Sequence, residues 1–161
     1  MFRSIAICTA FLAAFAGAGS AQTSIDLGGL AVDGTSDIEV TSEALAIDQD
    51  SGTAVFEGDV IIVQGDLRIS AARVEVIYGS DTSQIARLIA TGDVTFVTAQ
   101  DAAEAETADY DIAAGLLTLT GNVLLTQSGS AISAQSMLVN VTDGTATMQG
   151  RVRTVLQQGG N

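Results

Sequence analysis

The sequence lacks proline, tryptophan, histidine and lysine, and it has one cysteine, Cys8, among its 161 residues. Without histidine, and with a single cysteine near the amino terminus, the usual nucleophile–base pairs and Cys/His zinc sites have no residues to form them. No Gly-x-Ser-x-Gly elbow is present, and a Ser–Lys pair is impossible without lysine. These absences predict a protein that is not an enzyme and that uses no metal and no cofactor.

Positive charge is also scarce. Six arginines face 19 acidic residues, and the net charge is −13. Such a chain repels phosphates, which argues against nucleic acid and anionic membrane surfaces as partners. Hydrophobic residues make up 47% of the chain, which is too many for a disordered protein. The length fits one domain with a substantial core.

The amino terminus has the layout of a secretory signal peptide. Arg3 precedes an apolar run over residues 5–16, and small residues follow up to Ala21. The run is shorter than the roughly 20 residues that a membrane span requires. We expect residues 1–21 to be removed by cleavage after Ala21. Cys8 lies inside the run, so neither a disulfide nor lipidation of a first mature cysteine is expected.

Beyond this segment the chain repeats around glycine. Apolar residues stand two and four places before each repeated glycine and mostly also two and four after it, while its immediate neighbours are polar. This alternation predicts a strand in which the apolar residues and the glycine share the inward face. A glycine recurring there predicts a bend or a close approach of two layers. These structural glycines, spaced 34, 29 and 29 residues apart, are Gly58, Gly92, Gly121 and Gly150.

A second element alternates with the glycine segments. It covers residues 40–47, 69–76, 103–110 and 132–139, with apolar residues at its first, sixth and eighth places. The gap of five breaks strict alternation, and a bulge or corner between two short strands would restore it. The alanine-rich stretch 99–108 could pass for a helix, but its place in the repeat predicts a strand.

The whole mature chain is therefore expected to be all-β. Turn signals such as Asp50-Ser51-Gly52 and Asp143-Gly144 separate a dozen or more short strands. The pattern leaves a sandwich, a jelly roll and a β-solenoid-like stack open, and the repeat favours the last two. We expect a flexible or edge-strand lead-in over residues 22–36, one domain over 37–156, and a frayed tail over 157–161.

Carboxylates are the remaining candidates for chemistry. Asp48-Gln49-Asp50 resembles the start of a calcium loop, but the later ligands are absent, so a hairpin turn is preferred. The pairs Glu104/Glu106 and Asp109/Asp111 could serve glycoside hydrolysis. On so acidic a β-protein, solvated strand faces explain them better.

The glycine segments 56–60 (FEGDV) and 90–94 (ATGDV), alternating with 69–74 (ISAARV) and 132–135 (ISAQ), resemble the OstA-like family over about residues 36–156. The resemblance implies an open, twisted β-jellyroll of stacked antiparallel strands in the periplasm. It further implies a carrier whose hollow takes the acyl chains of lipopolysaccharide. Such proteins join end to end through edge strands, as homo-oligomers that bridge the inner-membrane exporter complex and the outer-membrane insertion complex.

On this resemblance, ten inward residues are expected to line the lipid-binding hollow. They are Phe56, Val60, Ile62, Leu88, Val94, Phe96, Leu117, Leu119, Val123 and Leu125. Without lysine the chain cannot hold anionic headgroups by charge, and its end soon after the fourth glycine puts the downstream docking edge in doubt. Three alternatives are a β-solenoid adhesin without lipid cargo, another OstA-like component of the same transport system, and a carboxylate hydrolase.

Overall fold

The computed structural model describes residues 24–28, 30, 32, 36–80 and 84–156. The predicted signal peptide and the predicted frayed tail lie outside these residues, and the predicted lead-in is described only in part. No helix long and apolar enough to cross a membrane occurs within the described part.

Within these ranges, eleven strands form one antiparallel sheet and no helix is present, so the predicted all-β, open twisted jellyroll is confirmed. The strands pair in the order β1-β10-β9-β8-β7-β6-β5-β4-β2, while β3 also pairs with β4 and β11 with β9. The strands are β1 (Ile25–Asp26), β2 (Glu39–Thr41), β3 (Ala44–Asp48), β4 (Thr53–Gln64), β5 (Leu67–Tyr78), β6 (Ile85–Val97), β7 (Asp101–Asp111), β8 (Leu116–Gln127), β9 (Ser130–Asn140), β10 (Thr145–Gln149) and β11 (Arg153–Val155).

The alanine-rich stretch that could have been a helix is largely strand β7, as its place in the repeat predicted. The six strands β4 to β9 have 11 to 13 residues each, so they are longer than the short strands expected. Each long strand runs through a bend instead of ending there. One glycine segment or one second element accounts for most of each long strand.

Each bend is a bulge at the repeated glycine. In β6 the pairing with β7 skips from Thr91 to Val94, and the residues between them, Gly92 and Asp93, have φ angles of 84° and 48°. Two left-handed residues in succession favour glycine followed by a residue such as aspartate or asparagine. The same conformation recurs at Gly58-Asp59, Gly121-Asn122 and Gly150-Arg151.

The prediction that the glycines point inward is wrong. A Cβ atom on Gly92 would lie 2.8 Å from Cβ of Ala72, an exposed residue on the outer face of β5. Similarly, a Cβ on Gly121 would meet the exposed side chain of Glu106. The left-handed backbone turns the Cβ direction away from the side that extended alternation assigns. The glycines thus allow the neighbouring strands to approach each other closely on the outer side of the bend. They do not create space in the interior.

The row of bulges divides the sheet into two half-sheets. The first half-sheet contains β1, β3, β10 and the paired parts of the long strands, from residues 53–57 of β4 to 136–140 of β9. The second contains β2, β11 and the other parts, from 60–64 to 130–134. Apolar residues of both half-sheets belong to one buried cluster, so their inner faces pack toward each other.

Candidate functional site

The region between the two inner faces, called the hollow below, contains the ten residues that were expected to line it, and they belong to one packed apolar cluster. Nine of them are at most 2% exposed, and Phe56, near the β3 edge, is half-buried. Cross-strand pairing keeps them on one face, because residues opposite each other in a ladder point to the same side. Phe96, for example, lies opposite Ile69 on one side and Ala103 on the other.

The strands of the second repeat element complete the inner face. Their first, sixth and eighth residues point inward, as Ile69, Val74 and Val76 of β5 illustrate, and the third residue, Ala71 in β5, does so as well. In β7 the same places hold Ala103, Ala108 and Tyr110, all at most 3% exposed. The sequence pattern contained this signal, although these residues were not included among the predicted lining residues.

The interior also contains side chains of the amino-terminal segment, which the sequence pattern did not predict. Leu27, Leu30 and Val32 come from the segment that was expected to be a lead-in, and each is at most 3% exposed within the same cluster. Their spacing of three and then two residues matches neither a strand nor a repeat of the domain. No sequence signal assigned them to the interior.

Two polar side chains connect the half-sheets across the hollow. Tyr110 Oη, in the first half-sheet, donates to Gln64 Oε1, in the second, at 2.9 Å. Both residues are at most 3% exposed. Gln64 Nε2 also donates to the carbonyl oxygen of Ser36 at 3.2 Å. Burial raises the pKa of Tyr110, because desolvation penalises the phenolate.

This burial predicts an alkaline transition. Since the pKa of Tyr110 is raised in the folded state, stability from its neutral form is present below the unfolded pKa of about 10 and is lost as the pH rises above it. In a Tyr78→Phe variant, which leaves Tyr110 as the only tyrosine, the near-ultraviolet tyrosinate absorbance should rise only above the pH range of free tyrosine. A transition centred at the free value in folded protein would contradict the buried contact. Tyr110→Phe, with Tyr78 retained, is the matched control.

Exposed apolar side chains lie at both ends of the sheet. At one end, Leu45 and Ile47 of β3 face inward opposite Phe56 and Ala54, yet they are 52% and 66% exposed. At the other end, Val152 and Leu156, which flank β11, are 52% and 70% exposed. The inner face is therefore continuous with exposed apolar side chains at the β3 edge, and exposed apolar side chains also flank β11.

The outer face is different in character. Open clefts lie along the row of bulges, and one of about 490 Å³ is lined by charged residues such as Asp59, Arg68 and Asp93 together with Val60, Ile61 and Ala71. Arg73 pairs with Glu57 and Glu75, and Arg87 pairs with Asp109, all of them on the outer face.

The carboxylates considered for chemistry take structural roles. Asp48 Oδ1 accepts hydrogen bonds from the backbone N–H groups of Asp50 and Ser51, which forms the preferred hairpin turn. Hydrogen bonds from Ser51, backbone first and then side chain, lower the pKa of Asp48, with the Asp50 N–H adding to them. Glu106 accepts from Asn122 Nδ2 at 2.6 Å. No group of three metal-ligating side chains occurs among the residues that the structure describes.

Comparison with known proteins gives one family and one fold. The family described as "LptA/(LptD N-terminal domain) LPS transport protein" matches residues 39–155. The crystal structure of LptH from Pseudomonas aeruginosa, titled the LptA-homologous periplasmic component of the lipopolysaccharide transport device, superposes with a TM-score of 0.68 at 16% identity. The match covers 76% of this chain and 96% of that one, and at this identity it shows the fold alone. No curated protein sequence matches the chain.

Proposed function

We propose that this chain, which belongs to the LptA/LptD N-terminal domain family of LPS transport proteins, carries lipopolysaccharide. In this role it is a periplasmic bridge that takes lipopolysaccharide from the inner membrane toward the outer membrane. It acts by binding and passing on its cargo, and it performs no catalysis. Two findings support this role: the family consists of LPS transport proteins, and the fold matches that of LptH, a periplasmic component of such a transport device.

The observation that carries the proposal is the continuous apolar inner face. It extends from Leu45 and Ile47 at the β3 edge, through the buried ladder around Phe96, to Ile132 of β9 beside β11. An acyl chain gains about 0.8 kcal/mol for each methylene removed from water, so a chain seated on this face would be held by the burial of its methylenes. A path with two apolar ends also allows cargo to pass from one protein to the next.

The charges support acyl chains, and not the headgroup, as the part that is bound. The chain has no lysine, and Arg73 and Arg87 are already paired with carboxylates on the outer face. The predominantly acidic surface offers the lipid phosphates few positive partners. In the proposal the headgroup stays in solvent or on partner proteins while the acyl chains enter the hollow.

The edge strands support assembly in a row. Among the described residues, β3 has one sheet neighbour, β4, and β11 has one, β9, so each offers a backbone edge for an added antiparallel strand. We propose that these edges join further copies of the chain end to end. They would equally receive the inner-membrane exporter complex and the outer-membrane insertion complex.

Photo-crosslinking in cells tests the cargo. With benzoylphenylalanine at Phe56, which points inward, we expect lipopolysaccharide adducts, because the reactive ring replaces a ring of similar shape at the inner face. The matched control is Val55, the neighbouring residue, whose alternate position in β4 points outward. A second matched pair is Phe96 and Val97 in β6.

Adducts at the inward positions and none at the outward positions would support the carrier. If the inward positions gave only protein adducts or none, while both outward controls were efficiently incorporated and the protein was folded, the carrier proposal would fail. That result would favour an adhesin or other surface-structure role without lipid cargo.

A further inference from the structure

We propose that the amino-terminal segment is a strap that occupies the hollow of its own chain and must leave before lipid can enter. The strap comprises residues 25–28 together with Leu30, Val32 and Ser36. The inference rests on the proposed function, since it concerns how that hollow admits its cargo. Two sets of contacts, apolar and polar, carry it.

The strap's apolar side chains lie inside the hollow. Leu27 is 1% exposed, and Leu30 and Val32 are 3% exposed. All three belong to the same buried cluster as Phe96 and Leu125 of the inner face. Three aliphatic side chains thus cover apolar surface that an acyl chain would cover in the carrier. Aliphatic side chains and acyl chains compete for such a surface by the same burial of methylene groups.

The strap's polar contacts reach both half-sheets. On the first half-sheet, Leu27 N–H donates to the Gly144 carbonyl at 2.8 Å. On the second, Gln127 Nε2 donates to the Asp26 carbonyl at 2.6 Å and Gln64 Nε2 to the Ser36 carbonyl. The strap therefore crosses from one half-sheet to the other at the ends of the long strands.

The strap is held by a much shorter ladder than the strands that it covers, together with backbone hydrogen bonds from Leu27 to Gly144 and from Val32 to Val141. β1 makes two residue pairs with β10, whereas neighbouring long strands make nine or ten. A segment with so short a ladder can detach while the rest of the sheet stays paired. In addition, Asp26 is anchored by the side chain of Gln127 at an exposed contact, and this side chain can turn away without changing the backbone.

The position of β1 links the hollow to assembly. Ile25 and Asp26 pair with Ala146 and Thr145, so β1 covers part of the outer edge of β10. When the strap leaves, it frees apolar surface in the hollow and backbone groups on that edge together. Lipid entry is therefore coupled to exposure of a pairing edge, and an incoming strand on β10 would in turn favour release of the strap.

A reversible disulfide tests the strap. Asp26 and Thr145 are direct partners in the ladder, and cross-strand neighbours lie within the reach of a disulfide. We would prepare Asp26→Cys with Thr145→Cys in a Cys8→Ser background and measure binding of lipopolysaccharide in its oxidised and reduced forms. The matched control is Thr118→Cys with Leu138→Cys, which links β8 to β9 on the outer face.

We expect oxidation of the strap variant to weaken lipopolysaccharide binding at least tenfold and reduction to restore it, while the control binds equally in both forms. The oxidised strap variant also keeps the β10 edge covered, so lipopolysaccharide should increase end-to-end association in the reduced form and not in the oxidised form. Equal binding by both forms of the strap variant would overturn the strap and leave the carrier intact. No binding by the reduced variant, the control and the unmodified chain would instead overturn the carrier proposal.

Discussion

Phe96→Ala is expected to lower the free energy of unfolding by about 3–5 kcal/mol, the usual cost of removing a buried aromatic ring. Phe96 is 0% exposed and is the largest fully buried side chain among the residues that the structure describes. Its neighbours across the ladders are Ile69 and Ala103, and Ala103 is too small to fill the space that the ring leaves. Urea unfolding followed by circular dichroism measures the loss.

Phe56→Ala is the matched control, because it removes the same ring from a half-buried place near the open edge beside β3. There the loss should be about 1–2 kcal/mol, since part of the ring is already in water. Equal losses at the two positions would contradict the difference in burial. A loss at Phe96 below about 1 kcal/mol would mean that the inner face is not packed around its ring.

The Phe96→Ala variant also separates packing from cargo binding. A ligand that binds only the folded chain stabilises it by an amount set by its concentration, about 2.7 kcal/mol at 100 times its Kd. If the hollow takes acyl chains, saturating lipopolysaccharide should recover part of the lost stability. Residues that merely pack against each other would give no such recovery, and the added lipid would leave the unfolding midpoint unchanged.

The fold was largely predictable because the apolar residues that build its interior recur periodically along the chain. Alternation around Gly58, Gly92 and Gly121 identifies the inward residues without any knowledge of strand order. The second element gave the partner strands, because its gap of five residues marks the place where two half-strands meet at the bend. The stacking order then followed from hairpin connections between neighbouring strands, and the family resemblance selected the jellyroll.

What could not be predicted depends on contacts between distant residues. The Tyr110–Gln64 hydrogen bond joins residues 46 apart, and the Gln127–Asp26 contact joins residues 101 apart. Neither pair belongs to the repeat. Leu27 and its neighbours in the strap were missed because a segment without alternation gives no face to assign. The direction of the glycines was wrong for a local reason, namely that two successive left-handed residues break the extended geometry on which alternation rests.

Gly92→Ala is expected to cost about 2–5 kcal/mol, because two separate penalties apply at this bulge. The φ angle of 84° is strained for any residue with a Cβ, which costs about 1–2 kcal/mol. The new Cβ would also lie 2.8 Å from Cβ of Ala72, so the backbone of β5 or β6 has to shift. Overpacking of this kind costs about 1–3 kcal/mol.

Gly52→Ala isolates the conformational penalty. Gly52 lies in the turn before β4 with a φ angle of 65°, and a Cβ there would meet nothing within 4 Å. The Gly52→Ala variant should therefore lose only the stability that the strained φ angle costs, about 1 kcal/mol. Thermal and urea unfolding of both variants give the difference, which measures the close approach of β5 and β6 at the bend. Equal losses would show that the repeated glycines are needed for their φ angle alone, and Ala72→Gly in the Gly92→Ala background should then restore nothing.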